Sequence, residues 1–203
     1  MKQRTEPSAE RSQTVQHLRE DIVFTDTLRG RVFTFHSTWG LFNPRRIDPG
    51  SRLLVEHLQV QSGDTCLDLG CGYGSIGLVL ASLSAPGETH MVDKDFVAVE
   101  YARRNARNNG LRNTRVYLSN AFSHVPDVPF DCITSNLPAK VGNEMLSLIL
   151  HDACSALAPG GRFCVVTIAG LKSYIKRNFQ QIFGNYTKLK QGKTHIVAMA
   201  VKA

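Results

Sequence analysis

The stretch Asp68-Leu-Gly-Cys-Gly-Tyr-Gly-Ser-Ile-Gly77 (DLGCGYGSIG) decides how the rest of the chain is read. A short apolar run, TCLDLG, leads into it, and the apolar segment from Ser75 to Leu83 follows as a buried helix. Strand, glycine turn and helix open a βαβ unit, in which a turn without side chains lets a ligand approach the backbone. The dinucleotide fingerprint G-x-G-x-x-G would need a glycine at position 75, where this chain has serine. Asp68 also stands two residues ahead of the first glycine. A diphosphate on the helix N-terminus would feel that carboxylate. At ~5 Å and an effective dielectric of ~20, the repulsion is on the order of 3 kcal/mol. A ligand carrying positive charge at the same spot gains by a similar amount.

The alternation continues outward. THMVD reads as a strand, and DFVAVEYARRNARNNG as a helix ended by Asn109-Gly110. TRVYLS and FDCITSN are two more strands, and GNEMLSLILHDACSAL is an amphipathic helix stopped by Pro159-Gly160-Gly161. GRFCVVTI is the next strand and Leu171 to Phe183 the next helix. YTKLKQ and THIVAMAV close the chain around Gly192 with no helix between them, so they pair antiparallel. The expected fold is α/β and Rossmann-like: a mostly parallel seven-stranded sheet, helices on both faces, and a C-terminal antiparallel hairpin. Upstream, IVFT and GRVFTFHS read as extended segments about a turn at Leu28-Arg29-Gly30, and SRLLVEHL as a helix after Pro49-Gly50. Residues 1–20 form a flexible tail on this reading, and 21–203 one domain with an N-terminal extension over 21–60.

Composition narrows the setting. The 203 residues are 42% hydrophobic and 20% charged, as in a soluble globular domain, and no apolar run reaches the length of a membrane span. The N-terminal segment lacks the apolar core of a secretory signal. Cys66, Cys71, Cys132, Cys154 and Cys164 form no C-x-x-C pair and read as reduced thiols, which points to a cytoplasmic protein without a zinc site. The net charge of +7 is uneven. No acidic residue follows Asp152, while Arg162, Lys172, Lys176, Arg177, Lys188, Lys190, Lys193 and Lys202 do. Further clusters are Arg29, Arg31, Arg45, Arg46 and Arg52, and Arg103, Arg104, Arg107, Arg112 and Arg115. Such clusters suit a polyanionic partner, and equally a solvated surface.

In an open sheet of this kind, ligands sit beyond the carboxyl ends of the strands. S-adenosylmethionine carries an ammonium and a sulfonium and no phosphate, which suits Asp68 and a turn made of Gly70, Cys71, Gly72 and Gly74. Asp93, ending the second strand beside Lys94, is placed to accept hydrogen bonds from ribose hydroxyls, as nicotinamide enzymes also arrange. Asn120-Ala121-Phe122 would lie by the adenine, although a turn-forming Asn looks the same. Asn136-Leu137-Pro138 closes the fourth strand. The Asn136 side chain and the Leu137 carbonyl offer two acceptors, enough to hold both hydrogens of an exocyclic amine and aim its lone pair.

These motifs, with GLFNPRRIDPGSRLLVEHL, MVDKD, SNLPAKVGNEML and LAPGGRFCVV, resemble the class I S-adenosylmethionine-dependent methyltransferases. Within them the chain is similar to the small-subunit rRNA guanine-N2 branch and its single-domain archaeal relatives, from about Phe33 to the C-terminus. The resemblance implies methyl transfer to an amino nitrogen, with guanine in structured RNA as substrate and Asn136, Leu137 and Pro138 as the catalytic segment. It places Phe42 near the cofactor and Trp39 with it, packing of either ring on the sheet being the plain alternative. Arg45, Arg46, Phe122 and Lys140 join Trp39 as substrate-side candidates. The family reads Asn-Pro-Pro followed by an aromatic or large apolar residue, whereas this chain has Leu137 and then Ala139. The acceptor pair survives that change, but the ring that stacks on a flipped base does not.

The expected partners are S-adenosylmethionine and RNA, with no membrane and no metal, in a monomer or weak dimer. Three other functions share parts of the pattern. A protein-glutamine methyltransferase would use the same acceptors, a non-catalytic RNA-associated module would tolerate Leu137, and a nicotinamide oxidoreductase is opposed by Asp68 and Ser75.

Overall fold

The computed structural model describes residues 15–138 and 141–203. Positions 1–14 of the expected tail, and the two residues Ala139 and Lys140, lie outside the described residues. Residues 15–19 form an exposed helical turn.

The chain first makes an antiparallel hairpin, β1 (Ile22–Leu28) and β2 (Arg31–Ser37), closed by Arg29 and Gly30 at φ 51° and 78°. Two consecutive positive-φ residues give the turn whose twist matches that of the strands. Helix α1 (Pro49–Glu56) follows, capped by Asp48, whose side chain accepts from the Ser51 N–H with proline just inside the start. The main sheet then assembles from β3 (Cys66–Leu69), α2 (Gly77–Ser84), β4 (Thr89–Asp93), α3 (Phe96–Asn108), β5 (Thr114–Leu118), β6 (Phe130–Asn136), α4 (Gly142–Ala156), β7 (Leu157–Ile168), α5 (Lys172–Phe183), β8 (Thr187–Gln191) and β9 (His195–Val201).

Seven strands lie in the order β5-β4-β3-β6-β7-β9-β8. The first five are parallel, and β9 runs antiparallel between β7 and β8. The expected doubly covered sheet and terminal hairpin are both present. Order reverses between β3 and β6, so the crevice at their carboxyl ends is the switch point where ligands of such sheets bind. Helices α1, α2 and α3, with the β1–β2 hairpin, bury one apolar cluster against the sheet, and α4 with α5 buries the other.

The structure corrects one boundary. Pro159-Gly160-Gly161 does not separate helix from strand, because β7 starts at Leu157, opposite Phe130, and runs through the glycines. Gly160 at φ 77° lets the strand bulge, and the backbone bonds from Gly160 N–H to the Lys202 carbonyl and from Lys202 N–H to Gly161 keep it paired.

A detail of α3 binds the hairpin to the domain. Asn105 and Asn109 lie one turn apart, and their amides bond the N–H and C=O of His36 and Thr34 at 2.8–2.9 Å. Two side chains thus act as a surrogate strand along the free edge of β2. The fully buried Asn105 also donates to the Tyr73 carbonyl in the glycine turn at 2.8 Å.

Candidate active site

Gly70, Gly72 and Gly74 have φ of 75°, 54° and 98°, a backbone path that side chains resist. The Gly70 and Cys71 N–H groups both donate to the Val92 carbonyl at 2.9 Å, fastening the turn to the end of β4. The three glycines differ in what surrounds them. A Cβ on Gly74 would lie 2.4 Å from Leu78 Cδ1, so that glycine serves packing. A Cβ on Gly70 or Gly72 would meet nothing within 4 Å, so these two leave the turn's outer surface bare. Cys71 is buried.

Asp93 supports the turn from the side. One carboxylate oxygen accepts from Gly72 N–H at 2.9 Å, and the other accepts from Asp95 N–H at 3.0 Å. Each oxygen retains a lone pair for a further donor such as a hydroxyl. Lys94 beside it is exposed.

Asp68 is placed differently from the simplest reading of its charge. It is fully buried within β3, under the turn rather than on its open side. Its Oδ1 accepts from the Thr134 hydroxyl at 3.3 Å, while Oδ2 has no hydrogen-bond partner. Burial pushes this carboxyl up to about 7. The nearby Gly77 N–H and the Thr134 hydroxyl pull the other way, and the charge on Asp93 adds to the rise. A cation above the turn would therefore meet Asp68 through its field, without contact, and would favour its ionised form.

The acceptor segment stands at the end of β6. Asn136 donates both hydrogens of its side-chain amide, to Asp48 Oδ2 and to Ser51 Oγ, each at 3.0 Å. An ionised carboxylate only accepts, so the amide nitrogen must face Asp48 and the amide oxygen must face away. Asn136 Oδ1 is left as a fixed acceptor. Asp48 is itself held by Ser51 N–H and by Asn43 Nδ2, both at 3.0 Å. Leu137 is buried and donates its N–H to the Val166 carbonyl at 2.9 Å, which anchors the backbone that carries its carbonyl. Pro138, exposed, has no N–H to extend the ladder.

The segment ahead of α1 completes the rim. Tyr73, inside the glycine turn, donates its hydroxyl to the Asn43 and Arg46 carbonyls at 3.3 and 3.1 Å, so the turn and the FNPRR loop are tied together. Phe42 is 68% exposed and Trp39 43%, which overturns packing of either ring on the sheet. Trp39 instead carries the Arg45 guanidinium over its face at 4.6 Å. Arg46 is exposed. Asn120, Ala121 and Phe122 line a cleft of about 460 Å³ between the loop after β5 and α4, with Met145 and Leu148 opposite. Lys140 is the one candidate outside the described residues.

Asp48, Asn43, Ser51, Tyr73 and Asn105 escaped the reading of the sequence. Only Asp48 left a signal there, as an N-cap residue directly before a helix-starting proline.

The parallel sheet with its switch-point crevice, the bare glycine turn, the acid at the end of β4 and the acceptor pair after β6 together define a class I S-adenosylmethionine-dependent methyltransferase. Comparison with known proteins agrees and refines the class: the methyltransferase small domain model matches residues 32–199, and the chain belongs to that family. It is 34% identical over 181 residues to the uncharacterised YbxB protein of Bacillus subtilis, covering 86% of this chain and 89% of YbxB. It is 28% identical over 182 residues to the ribosomal RNA large subunit methyltransferase G of Cronobacter sakazakii, covering 86% of this chain and 48% of that protein. Among solved structures, the T. thermophilus 16S rRNA N2-guanosine methyltransferase RsmC, in complex with AdoMet and guanosine, superposes with a TM-score of 0.81 at 30% identity. That match covers 89% of this chain and 50% of RsmC, so the chain spans about half the length of these rRNA enzymes.

Proposed function

We propose that this protein methylates the exocyclic amine of a guanine in ribosomal RNA. The observation that carries the reading is the orientation of Asn136: both of its amide hydrogens are committed to Asp48 and Ser51, so Oδ1 is presented as an acceptor before any substrate arrives. With the Leu137 carbonyl it forms a pair that takes the two amine hydrogens. An ether, thiol or carbon nucleophile has no use for two such acceptors.

The residues present suit the cofactor. Gly70 and Gly72 leave the turn open for its methionine part, Asp93 keeps lone pairs for ribose hydroxyls, and the unpartnered oxygen of Asp68 answers its positive charge. When bound, S-adenosylmethionine supplies an electrophilic methyl carbon on a sulfonium. Asn136 and Leu137 hold the amine so that its lone pair lies along one direction, and the nitrogen sheds its surplus proton to water after transfer. The amine is neutral throughout the approach, so positioning supplies the catalysis and no strong base is required. A guanine must leave its stack to reach this depth. The exposed Trp39 ring, backed by Arg45, is the platform we assign to it in place of the side chain missing at 139.

The test is label transfer from the methyl-labelled cofactor to ribosomal RNA from a strain lacking the gene, followed by nucleoside analysis. Asn136→Ala should lower kcat by about 10²–10³, as loss of one preorganised polar group does, while S-adenosylhomocysteine still binds. Label confined to protein or small molecules, or an Asn136→Ala enzyme with full turnover, would refute the proposal.

A further inference from the structure

The three basic clusters of the sequence are not equivalent once folded. Arg103 and Arg104 on α3 pair with Glu100 and Asp21, and Arg115 pairs with Glu88. Arg52 pairs with Asp26 and Arg162 with Asp64. Arg29 donates to the carbonyls of Val55, Glu56 and Leu58, and Arg31 to Asn109 and Ser82. Lys202 is spent on the Ser155 and Leu157 carbonyls. Most of these residues lie on the amino side of the sheet or along α3.

A different set lies at the carboxyl rim. Asn136 is in register with Val166, and Val166 with Val197, so β6, β7 and β9 are level there. Because β9 runs antiparallel, its first residue, His195, pairs with Ile168 beyond that level, and the β8–β9 turn stands at the same rim as Asn136. The turn is seated on α1. A Cβ on Gly50 would lie 2.8 Å from the His195 ring, and one on Gly192 would lie 3.3 Å from Leu53 Cδ2. Lys172, following the short turn after β7, reaches Gln191 Oε1 at 3.4 Å. Lys172, Lys190 and Lys193 therefore all stand at this end of the sheet, Lys190 opposite Val197 on the α1 face and Lys172 beside Gln191, so that they wrap the β8 edge at the rim. Arg45 and Arg46 lie in the loop leading into the α1 N-terminus, whose cap Asp48 holds Asn136. Among the described residues none of the five is paired with a carboxylate, and all but Lys172 are exposed.

The acidic groups divide the other way. Asp93 and Asp95, with Lys94 between them, stand at the end of β4, two strands from β6 on the opposite side. Asp48 is buried and turned to its three donors. The rim is thus acidic at β4, where a cationic cofactor is expected, and mostly basic beyond Asn136, with Glu144 in the first turn of α4 as an acidic exception. Lysines on β8 also blunt an exposed sheet edge, but that need does not extend to Lys172, Lys193 or Arg45.

We infer that Arg45, Arg46, Lys172, Lys190 and Lys193 form a phosphate-binding track on which the RNA backbone lies as its target base enters beside Asn136. The inference rests on the RNA reading above and adds the location of the docking surface. Phosphate contacts position a nucleic acid and make affinity fall with salt, by about 0.7–0.9 in log–log slope for each contact.

The experiment measures binding of deproteinised ribosomal RNA across a salt series for the parent and two triple variants. Lys172→Gln/Lys190→Gln/Lys193→Gln and Arg103→Gln/Arg104→Gln/Arg115→Gln remove equal charge. The first should flatten the slope by about 2.1–2.7, which over a fourfold rise in salt is a difference of about 20- to 40-fold in affinity loss. The second should keep the parental slope. Changing the same three lysines to arginine should also keep it, and calorimetry with S-adenosylhomocysteine checks that every variant is folded. Equal losses in both glutamine triples, or a parental slope in the lysine triple, overturn the track and leave the RNA substrate standing. A parent that does not bind ribosomal RNA overturns both.

Discussion

Removing the Asp48 side chain is the sharpest probe of how the acceptor is held. Asp48→Ala deletes the cap of α1, worth about 1 kcal/mol. It also strips Asn43 and Asn136 of a charged partner at 3.0 Å. Both asparagines are half-buried, so water replaces part of each bond, and about 0.5–1 kcal/mol apiece is the remaining loss. The sum is about 2–3 kcal/mol, which in a domain of this size lowers Tm by roughly 4–12 °C. The effect on rate has another origin. Ser51 Oγ, left as the partner of Asn136, can donate as well as accept, so it no longer distinguishes amide nitrogen from amide oxygen. Half the molecules then present N–H groups to the amine, and the residue moves more freely. A twofold loss from the wrong orientation, multiplied by up to ~10² from misplacement, brackets the fall in kcat at about 2- to 200-fold. Asp48→Asn should behave otherwise. Its oxygen can serve Ser51 and Asn136 while its nitrogen faces Asn43, whose own amide can turn over to accept. Near-parental stability and turnover within a few-fold are expected. Turnover is measured at saturating cofactor well below both melting points. Parental kcat in Asp48→Ala would show that Asp48 does not orient Asn136, and a collapse in Asp48→Asn equal to that of alanine would show that charge matters instead of direction.

Three further expectations concern the glycine turn and the strand beneath it. Gly74→Ala places a methyl 2.4 Å from Leu78 Cδ1 and 2.8 Å from Met91 Cε at φ 98°, so thermal unfolding should report a loss of about 2–5 kcal/mol. Gly72→Ala meets no atom and should lose only about 1–2 kcal/mol, yet weaken S-adenosylhomocysteine more than tenfold by calorimetry; unchanged affinity would mean the bare turn is not the cradle. Asp68, raised from 3.8 to about 7, holds its proton in the folded state at pH values where the unfolded chain has lost it. Its contribution is full below pH 4 and is lost as pH rises through 7, on the order of 4 kcal/mol in all. Asp68→Asn should therefore melt above the parent at pH 8, with the gap closing toward pH 5, and a gap independent of pH would refute the buried protonation.

Element order was legible in the residues because each strand and helix carries its own period and its own stop signals. The sheet order was less legible, since right-handed crossovers and a helix-free final connection allow either strand of the last hairpin beside β7, and only the folded chain places β9 there. What the local signals misplaced was the start of β7. Proline and two glycines read as punctuation, but pairing of Lys202 with Gly160 and Gly161 draws them into the sheet, a tertiary contact that no local window contains.

The same distinction separates the legible from the illegible parts of the site. Gly70, Gly72, Asp93 and Asn136 announce themselves because each ends or follows a strand of a sheet whose ligand edge is known in advance. Asp48 meets Asn136 across 88 positions of sequence, and Asn105 meets Tyr73 across 32. Residues of this second kind look like ordinary caps and helix surface until the fold closes. The depth of Asp68 was hidden for a related reason: a strand of four buried residues offers no alternation to say which face a carboxylate takes. Position relative to a motif pointed to candidate groups on the ligand edge, whereas the direction of the Asn136 amide, and so the acceptor geometry on which the proposed amine recognition depends, is set by partners that only the folded chain brings within 3.0 Å.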